Sequence, residues 1–346
     1  MKKQLFTLIL LTILSTSVMA KDDFKIAWSH YTGWEPWGYI ADSGILDKWA
    51  KKYGIGINVT LVNDYIESIN LYTTGQFDAC TMTNMDALTI PAVGGVDSTA
   101  LIVGDFSNGN DGIVMRNGNS VKDLKGRTVR LVELSVSHYM LARALDMNGL
   151  SERDLTLTNT SDAEIASVFM SDPSGAVVTW NPPLQTVRNA KGAVLVFDSS
   201  KIPGEIIDML VVKSDVDERF KKAVTGAWYE AMAIMQKSRS KAGTEAIKYM
   251  ADLAGGTLSE FNAQLKTTSM FYDPAEAVRF VRSESLGKTM NDVREFSFNK
   301  GLYGQGTQSA DLVGIELGDG SVLGDKGNIK LRFTDKYMDM AAKNKL

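Results

Sequence analysis

Short apolar runs alternate with amphipathic segments along the first two thirds of the chain. Strand-like runs occupy residues 25–28, 57–62, 80–83 and 99–103, and apolar residues at helical spacing lie between them, over 35–53 and 65–74 and from Asn84 onward. The same alternation returns between residues 113 and 197. Alternating strands and helices of this kind predict an α/β fold, in which mostly parallel sheets are flanked by helices.

A polar, glycine-rich segment at residues 104–112 interrupts this alternation, and an apolar run at 206–213 follows the second set of elements. We interpret the two as crossovers between lobes. The predicted lobes are residues 21–108 with 209–346, and residues 109–208. From residue 216 the spacing predicts consecutive helices as far as 299. Residues 301–327 are predicted to be irregular surface, and 333–345 to form a last helix.

Residues 1–20 have the pattern of a secretory signal peptide. Lys2 and Lys3 precede an apolar stretch at 5–14, and Val18-Met19-Ala20 resembles a cleavage site. The apolar stretch is too short to span a membrane. The single cysteine, Cys80, lies far from this site, so a lipoprotein is not expected. An exported chain that cannot form an internal disulfide favours a periplasmic location.

Composition and motifs argue against several classes of function. The net charge is −4 with no basic tract, which is atypical of nucleic-acid binding. The only histidines, His30 and His138, lack metal-ligand spacing, and neither a nucleophile elbow nor a phosphate-binding glycine loop is present. Cys80 lies in a predicted buried strand, where a thiol is inert. We therefore expect no enzyme, no cofactor and no metal.

The loop at residues 31–39 follows the first predicted strand and contains four aromatic residues, two glycines and a proline. In open α/β sheets, ligands bind in the crevice beyond the strand ends. Trp34 and Trp37 are therefore predicted to line such a crevice. The alternative is that both rings only pack the loop onto its own domain.

Polar and aromatic side chains also follow the other predicted strands. The candidate ligand-binding residues are Trp34, Glu35, Trp37, Asp64, Thr83, Asn84, Asp86, Asp105, Asn108, Asp111, Glu133, His138, Trp180 and Asp208. Carboxylates dominate this set, and Arg130 is the one arginine nearby. Aromatic faces with carboxylates suit a cationic or N–H-rich ligand. Asp64 and Asp86 could instead cap helices.

The chain resembles the type II periplasmic solute-binding proteins of ABC importers, in the branch that binds sulfonates, taurine, nitrate and thiamine precursors. The resemblance lies in residues 31–39, 74–79, 121–126 and 148–155. Residues 33–37, 81–86 and 105–111 are similar to binding proteins encoded beside urea carboxylase, although Met85 stands where glycine is expected and Ser137-His138-Tyr139 matches no pattern of the branch.

This resemblance implies a two-lobe fold that closes on a small guanidinium or urea-like ligand. It further implies a monomer that delivers its ligand to a membrane permease and is not itself inserted in the membrane. A sulfonate, taurine or nitrate ligand is the alternative. A thiamine-pyrimidine synthase-like enzyme is less favoured, because that group carries a cysteine-rich metal motif. A periplasmic sensor domain also stays open.

Overall fold

The computed structural model describes residues 22–346, so the predicted signal peptide lies outside the described residues. Fourteen strands form within this range: β1 Asp23–Trp28, β2 Gly56–Leu61, β3 Ala79–Thr83, β4 Ser98–Ser107, β5 Asp111–Arg116, β6 Thr128–Leu131, β7 Thr156–Asn159, β8 Ala176–Trp180, β9 Ala193–Asp198, β10 Ile207–Lys213, β11 Thr268–Met270, β12 Gly314–Glu316, β13 Val322–Leu323 and β14 Ile329–Phe333.

Helices cover both sheets. In the described part of the chain they are α1 Pro36–Asp42, α2 Ile45–Tyr53, α3 Tyr65–Thr73, α4 Asn84–Ala87, α5 Val136–Met147, α6 Asp162–Ser171, α7 Pro183–Arg188, α8 Glu218–Gln236, α9 Lys241–Leu253, α10 Leu258–Leu265, α11 Pro274–Val281, α12 Glu284–Asn299 and α13 Lys336–Ala342. No helix within residues 22–346 is long and apolar enough to cross a membrane.

The strands form two sheets, which confirms the predicted α/β fold class. The larger has the order β13-β12-β14-β4-β10-β3-β1-β2, with β11 paired to β4, and the smaller has the order β7-β6-β8-β5-β9. We call the larger sheet with its helices the large lobe, and the smaller sheet with its helices the small lobe. The chain passes from β4 into β5 and returns from β9 into β10. Residue bounds for the lobes stay a prediction.

Both sheets are mixed rather than mostly parallel. Strand β10 runs antiparallel to β3 and β4, and β5 runs antiparallel to β8 and β9. These two strands are the ones that carry the chain between the lobes. Each therefore runs opposite to the strands on both of its sides.

Two local predictions are wrong. Residues 301–327 contain strands β12 and β13, and β14 joins them to β4 in the large sheet. The predicted helix 35–53 is two helices, because Gly44 adopts φ 80° and separates α1 from α2. A left-handed residue cannot continue a right-handed helix, and glycine adopts that conformation without a steric penalty.

Candidate functional site

A small closed cavity lies where the strand ends of both lobes meet. It is lined by Tyr31, Trp34, Tyr65, Thr83, Asp111, Val136, Trp180, Ile206 and Asp208. All of these residues are buried. The cavity volume is about 10 Å³, room for about one water molecule. Pockets for drug-sized ligands have volumes of about 300–1,000 Å³, so this cavity, which we call the front cavity, suits only a very small molecule.

Four aromatic rings form a continuous wall of the front cavity. The ring centroids of Tyr31 and Trp34 are 5.0 Å apart, those of Trp34 and Tyr65 are 5.5 Å apart, and those of Tyr65 and Trp180 are also 5.5 Å apart. Tyr31 and Trp34 lie in the loop after β1, Tyr65 begins α3, and Trp180 ends β8 of the small lobe. Both lobes therefore contribute aromatic surface to one space.

The loop after β1 is held in place by its own backbone. The carbonyl oxygen of Tyr31 accepts hydrogen bonds from the amides of Trp34 and Glu35, at 2.8 and 3.0 Å. Gly33 lies so close to β4 that a Cβ atom there would be 2.2 Å from Oδ2 of Asp105. The absence of a side chain at Gly33 lets the aromatic loop approach this carboxyl group closely.

Three carboxyl groups are gathered beside the aromatic wall. Asp105 lies two residues before the end of β4, opposite Asp208 of β10, while Asp111 begins β5. Each side chain is at most 2 % exposed. The hydroxyl of Tyr31 donates to Oδ1 of Asp105 at 2.8 Å. Within residues 22–346 the Oδ2 atom of each aspartate accepts no hydrogen bond from a lysine, an arginine, a hydroxyl group or a backbone amide, although Asp105 and Asp208 bond to each other.

Burial raises the pKa of all three carboxyl groups. Loss of solvation raises the pKa of Asp105 to about 7, although hydrogen bonds from Tyr31 and Asp208 oppose the shift. Loss of solvation likewise raises the pKa of Asp111 to about 7, against a hydrogen bond from Ser107. The pKa of Asp208 lies well above its ordinary value because of burial and the charges of Asp105 and Asp111. In the described part of the chain none of the three forms an ion pair with lysine or arginine.

A fourth buried carboxyl group, that of Asp86, bonds two residues that line the front cavity. Oδ2 of Asp86 accepts hydrogen bonds from the hydroxyl of Tyr65 at 2.6 Å and from that of Thr83 at 2.8 Å. Burial raises the pKa of Asp86 to about 6, and hydrogen bonds from Tyr65, Thr83 and the backbone of Val136 oppose the shift. Val136 begins α5, so Asp86 of the large lobe faces the small lobe.

Contacts between the lobes close the front cavity. The indole nitrogen of Trp180 donates to the carbonyl oxygen of His30 at 3.2 Å. The amide of Tyr65 donates to Oδ1 of Asp162 at 3.3 Å. Since His30 and Tyr65 belong to the large lobe and Trp180 and Asp162 to the small lobe, the structure shows a closed arrangement.

Comparison with known proteins identifies the family of this chain. The family described as NMT1/THI5 like matches residues 49–233, which is more than half of the chain. The chain belongs to the NMT1/THI5-like family. No curated protein matches it significantly.

Solved structures share the fold of this NMT1/THI5-like chain. The alkanesulfonate-binding protein of Xanthomonas axonopodis pv. citri, bound to MOPS, is 16 % identical with a TM-score of 0.65, over 83 % of this chain and 96 % of that one. The periplasmic aliphatic sulphonate-binding protein of Escherichia coli is 18 % identical with a TM-score of 0.65, over 83 % and 95 %. The nitrate-binding protein of Synechocystis is 13 % identical with a TM-score of 0.56, over 92 % and 98 %.

Seven of the predicted site residues of this NMT1/THI5-like chain lie at the front cavity. Trp34, Thr83, Asp111, Trp180 and Asp208 line it, and Asp86 and Asp105 bond to its tyrosines. Lining residues that the sequence-based prediction missed are Tyr31, Tyr65, Val136 and Ile206. Tyr31 lies three residues after the end of β1 and Tyr65 four residues after the end of β2, a position that could have identified them.

Three predicted residues make their contacts away from the front cavity. Trp37 lies in the first turn of α1 and stacks on Trp228 with centroids 5.2 Å apart. Oε1 of buried Glu35 is 2.7 Å from Nδ1 of His30. The side chain of Asn84 bonds the backbone at the start of β10, accepting from the amide of Ile207 at 3.1 Å. Each group is taken up by a neighbour away from the front cavity.

Four further predicted residues lie outside the cavity. Asp64 caps α3 by accepting from the amide of Glu67 at 2.9 Å, which is the alternative left open above. Asp64 of the large lobe and Glu133 of the small lobe line a separate, open groove between the lobes. Asn108 is exposed, and Nε2 of His138 is 3.2 Å from Oε1 of Glu152. Strand ends alone do not show which of these side chains turn inward.

We expect Trp37→Ala to destabilise the protein by about 3–5 kcal/mol, the usual cost of removing a large buried ring. The reason is the loss of the stack on Trp228 and the cavity that remains. Thermal unfolding followed by calorimetry measures this, and Tyr39→Ala on the next, half-buried ring of α1 is the control. An unchanged melting temperature would show that Trp37 is not a core residue.

Proposed function

We propose that this chain is the periplasmic solute-binding component of an ABC importer. Its two lobes close on a small guanidinium or urea-like ligand, which it delivers to a membrane permease. The observation that carries the proposal is the set of three buried carboxyl groups, each with an oxygen that no cation, hydroxyl group or amide of the described residues contacts, beside four aromatic rings. The shared fold with sulfonate- and nitrate-binding proteins supports the transport role.

A buried, unpaired carboxylate costs free energy, so three of them side by side need a partner. A guanidinium ion is planar and presents N–H donors in pairs that match carboxylate oxygens. The Oδ2 atoms of Asp105, Asp111 and Asp208 supply matching acceptors. The faces of Trp34 and Trp180 favour a cation through the ring quadrupole. Together these groups define an organic cation site.

A metal ion fits this donor set less well than an organic cation. In the described residues, no group of three or more His, Cys, Asp or Glu side chains is arranged to hold a metal. Indole and phenol rings also supply no ligands of the kind that hard cations prefer. The ligand that fits is therefore held by hydrogen bonds and aromatic contact.

A sulfonate or nitrate ligand is the alternative, and the fold shared with sulfonate- and nitrate-binding proteins favours it. The start of α5 at Val136 lies at the front cavity, but the amide of Val136 bonds Asp86 and that of Ser137 bonds Oγ of Ser135. Two arginines of the small lobe, which an anionic ligand would need as partners, already contact carboxylates of the protein. Arg130 lies 3.7 Å from Asp172, and Nε of Arg143 lies 2.8 Å from Glu205. An anion in the front cavity would also face three carboxyl groups without a cation between them.

Isothermal titration calorimetry with guanidinium chloride, urea, taurine and sodium nitrate tests the proposal. We expect heat from guanidinium, and binding should raise the melting temperature by mass action. Sodium chloride at equal ionic strength is the control for a general salt effect. Binding of taurine or nitrate without binding of guanidinium would contradict the cation site and support the anion alternative.

A further inference from the structure

A second small cavity adjoins the front cavity. It is lined by Trp34, Trp37, Ile102, Gly104, Asp208, Met209, Leu210 and Trp228, and its volume is about 10 Å³, room for one small group of about the size of a water molecule. We call it the rear cavity. Trp34 and Asp208 border both spaces. The two cavities are therefore neighbours with a shared boundary.

The rear cavity is largely apolar and aromatic. Trp37 and Trp228 stack at its side, with an interplanar angle of 28°. Gly104 leaves room for the ring of Trp228, because a Cβ atom there would be 2.9 Å from Cζ2 of that ring. Asp208 supplies the one carboxyl group in this lining. Such walls suit a small alkyl group attached to a polar head.

Trp34 has unfilled space on both of its cavity borders. Protein interiors are packed about as densely as organic crystals, and voids beside a side chain are few. The two small voids leave part of the ring surface of Trp34 without packing partners. The indole nitrogens of Trp34 and Trp228 also have no hydrogen-bond partner in the described chain, so the ring of Trp34 is not fixed by its polar atom.

We propose that the rear cavity receives an alkyl substituent of the ligand, so that the cargo class extends to N-alkylated guanidinium ions, with Trp34 as the specificity-determining partition. This inference rests on the proposed function. The N–H groups of the cation bond the carboxyl groups of the front cavity. The alkyl group passes Asp208 and the indole face of Trp34, where methyl groups next to a cationic nitrogen are attracted to the ring.

Calorimetry with guanidinium, N-methylguanidinium and N-ethylguanidinium chlorides tests this inference. N-methylguanidinium should bind about fourfold more tightly than guanidinium, the value of one buried CH2 group. Ile102→Phe, which fills the rear cavity, should bring that ratio to about one. Leu210→Ala, which enlarges it, should shift the preference toward the ethyl compound. Leu61→Phe, on the edge strand β2, is the control for added volume.

The outcomes separate the two proposals. If guanidinium binds but its methyl derivative binds more weakly, or if Ile102→Phe and Leu61→Phe give the same ratio, the rear cavity holds at most ordered water and the inference is wrong. If no guanidinium compound binds, the proposed function itself fails. If Ile102→Phe loses its cooperative melting transition, the inference is tested instead by the affinities of the wild-type protein for the three guanidinium compounds and by the preference of Leu210→Ala for the ethyl compound.

Discussion

Asp111→Asn is expected to weaken guanidinium binding by about thirtyfold or more. Loss of one buried, charged partner costs about 2–5 kcal/mol. Asp111 is buried at the start of β5, and its Oδ2 atom has no partner within the described range. An asparagine keeps the shape, removes the charge and turns one acceptor into a donor. Calorimetric titration of both proteins at pH 8 measures the difference.

The same substitution is expected to raise the melting temperature of the ligand-free protein at pH 8. Burial raises the pKa of Asp111 to about 7, against about 3.9 in an unfolded chain. At pH 8 the group is ionised in both states, and keeping it ionised in the folded state costs on the order of 4 kcal/mol. Asparagine removes that cost. A site can therefore lose its function and gain stability.

Asp64→Asn is the matched control for this pair of effects. Asp64 undergoes the same chemical change at the N-cap of α3, outside the front cavity, and asparagine caps a helix as well as aspartate. It should change neither affinity nor melting temperature appreciably. If Asp111→Asn instead keeps its affinity and melts at a lower temperature, Asp111 is a structural residue and the cation site is wrongly placed.

The pattern of the sequence was enough to place the strands whose ends form the site. The elements β1, β3, β4 and β10 are apolar runs, and the carboxyl groups that follow or begin them converge because neighbouring strand ends meet at one edge. Asp105 and Asp208 lie on adjacent strands and were both predicted. The acidic character of the site could therefore be read from residue types at strand ends.

The direction of each side chain could not be read in the same way. Trp34 and Trp37 lie in one loop, yet Trp34 remains in the turn and faces the front cavity, while Trp37 enters α1 and stacks on Trp228. The partner of Trp37 lies far away in sequence, so no local pattern reveals it. The strands β12 and β13 were missed because two or three residues among glycines show no periodicity.

Affinity for guanidinium is expected to rise with pH between about 6 and 8. Binding needs ionised carboxylates, and the pKa values of Asp105 and Asp111 are raised to about 7 by burial. Below that range a proton must leave for each carboxylate that receives the cation, whereas a guanidinium group keeps its own charge. Release of one proton gives about a tenfold gain over one pH unit below the pKa.

Stability of the ligand-free protein is expected to change in the opposite direction. The folded pKa values exceed those of the unfolded chain, so the folded state binds more protons between about pH 4 and 7. The free energy of unfolding therefore falls as the pH rises through this window. Ligand binding offsets that loss at neutral pH. The ligand should therefore raise the melting temperature most at the pH values where the ligand-free protein is least stable.

Titrations at pH 6, 7 and 8, each in two buffers of different ionisation enthalpy, measure both the affinity and the protons released. Asp111→Asn should show a shallower dependence, because one titrating group is gone. Anionic nitrate would show the reverse trend, since protonation of Asp105 and Asp111 removes the repulsion that an anion meets there. The sign of the pH dependence therefore distinguishes a cation site from an anion site in this fold.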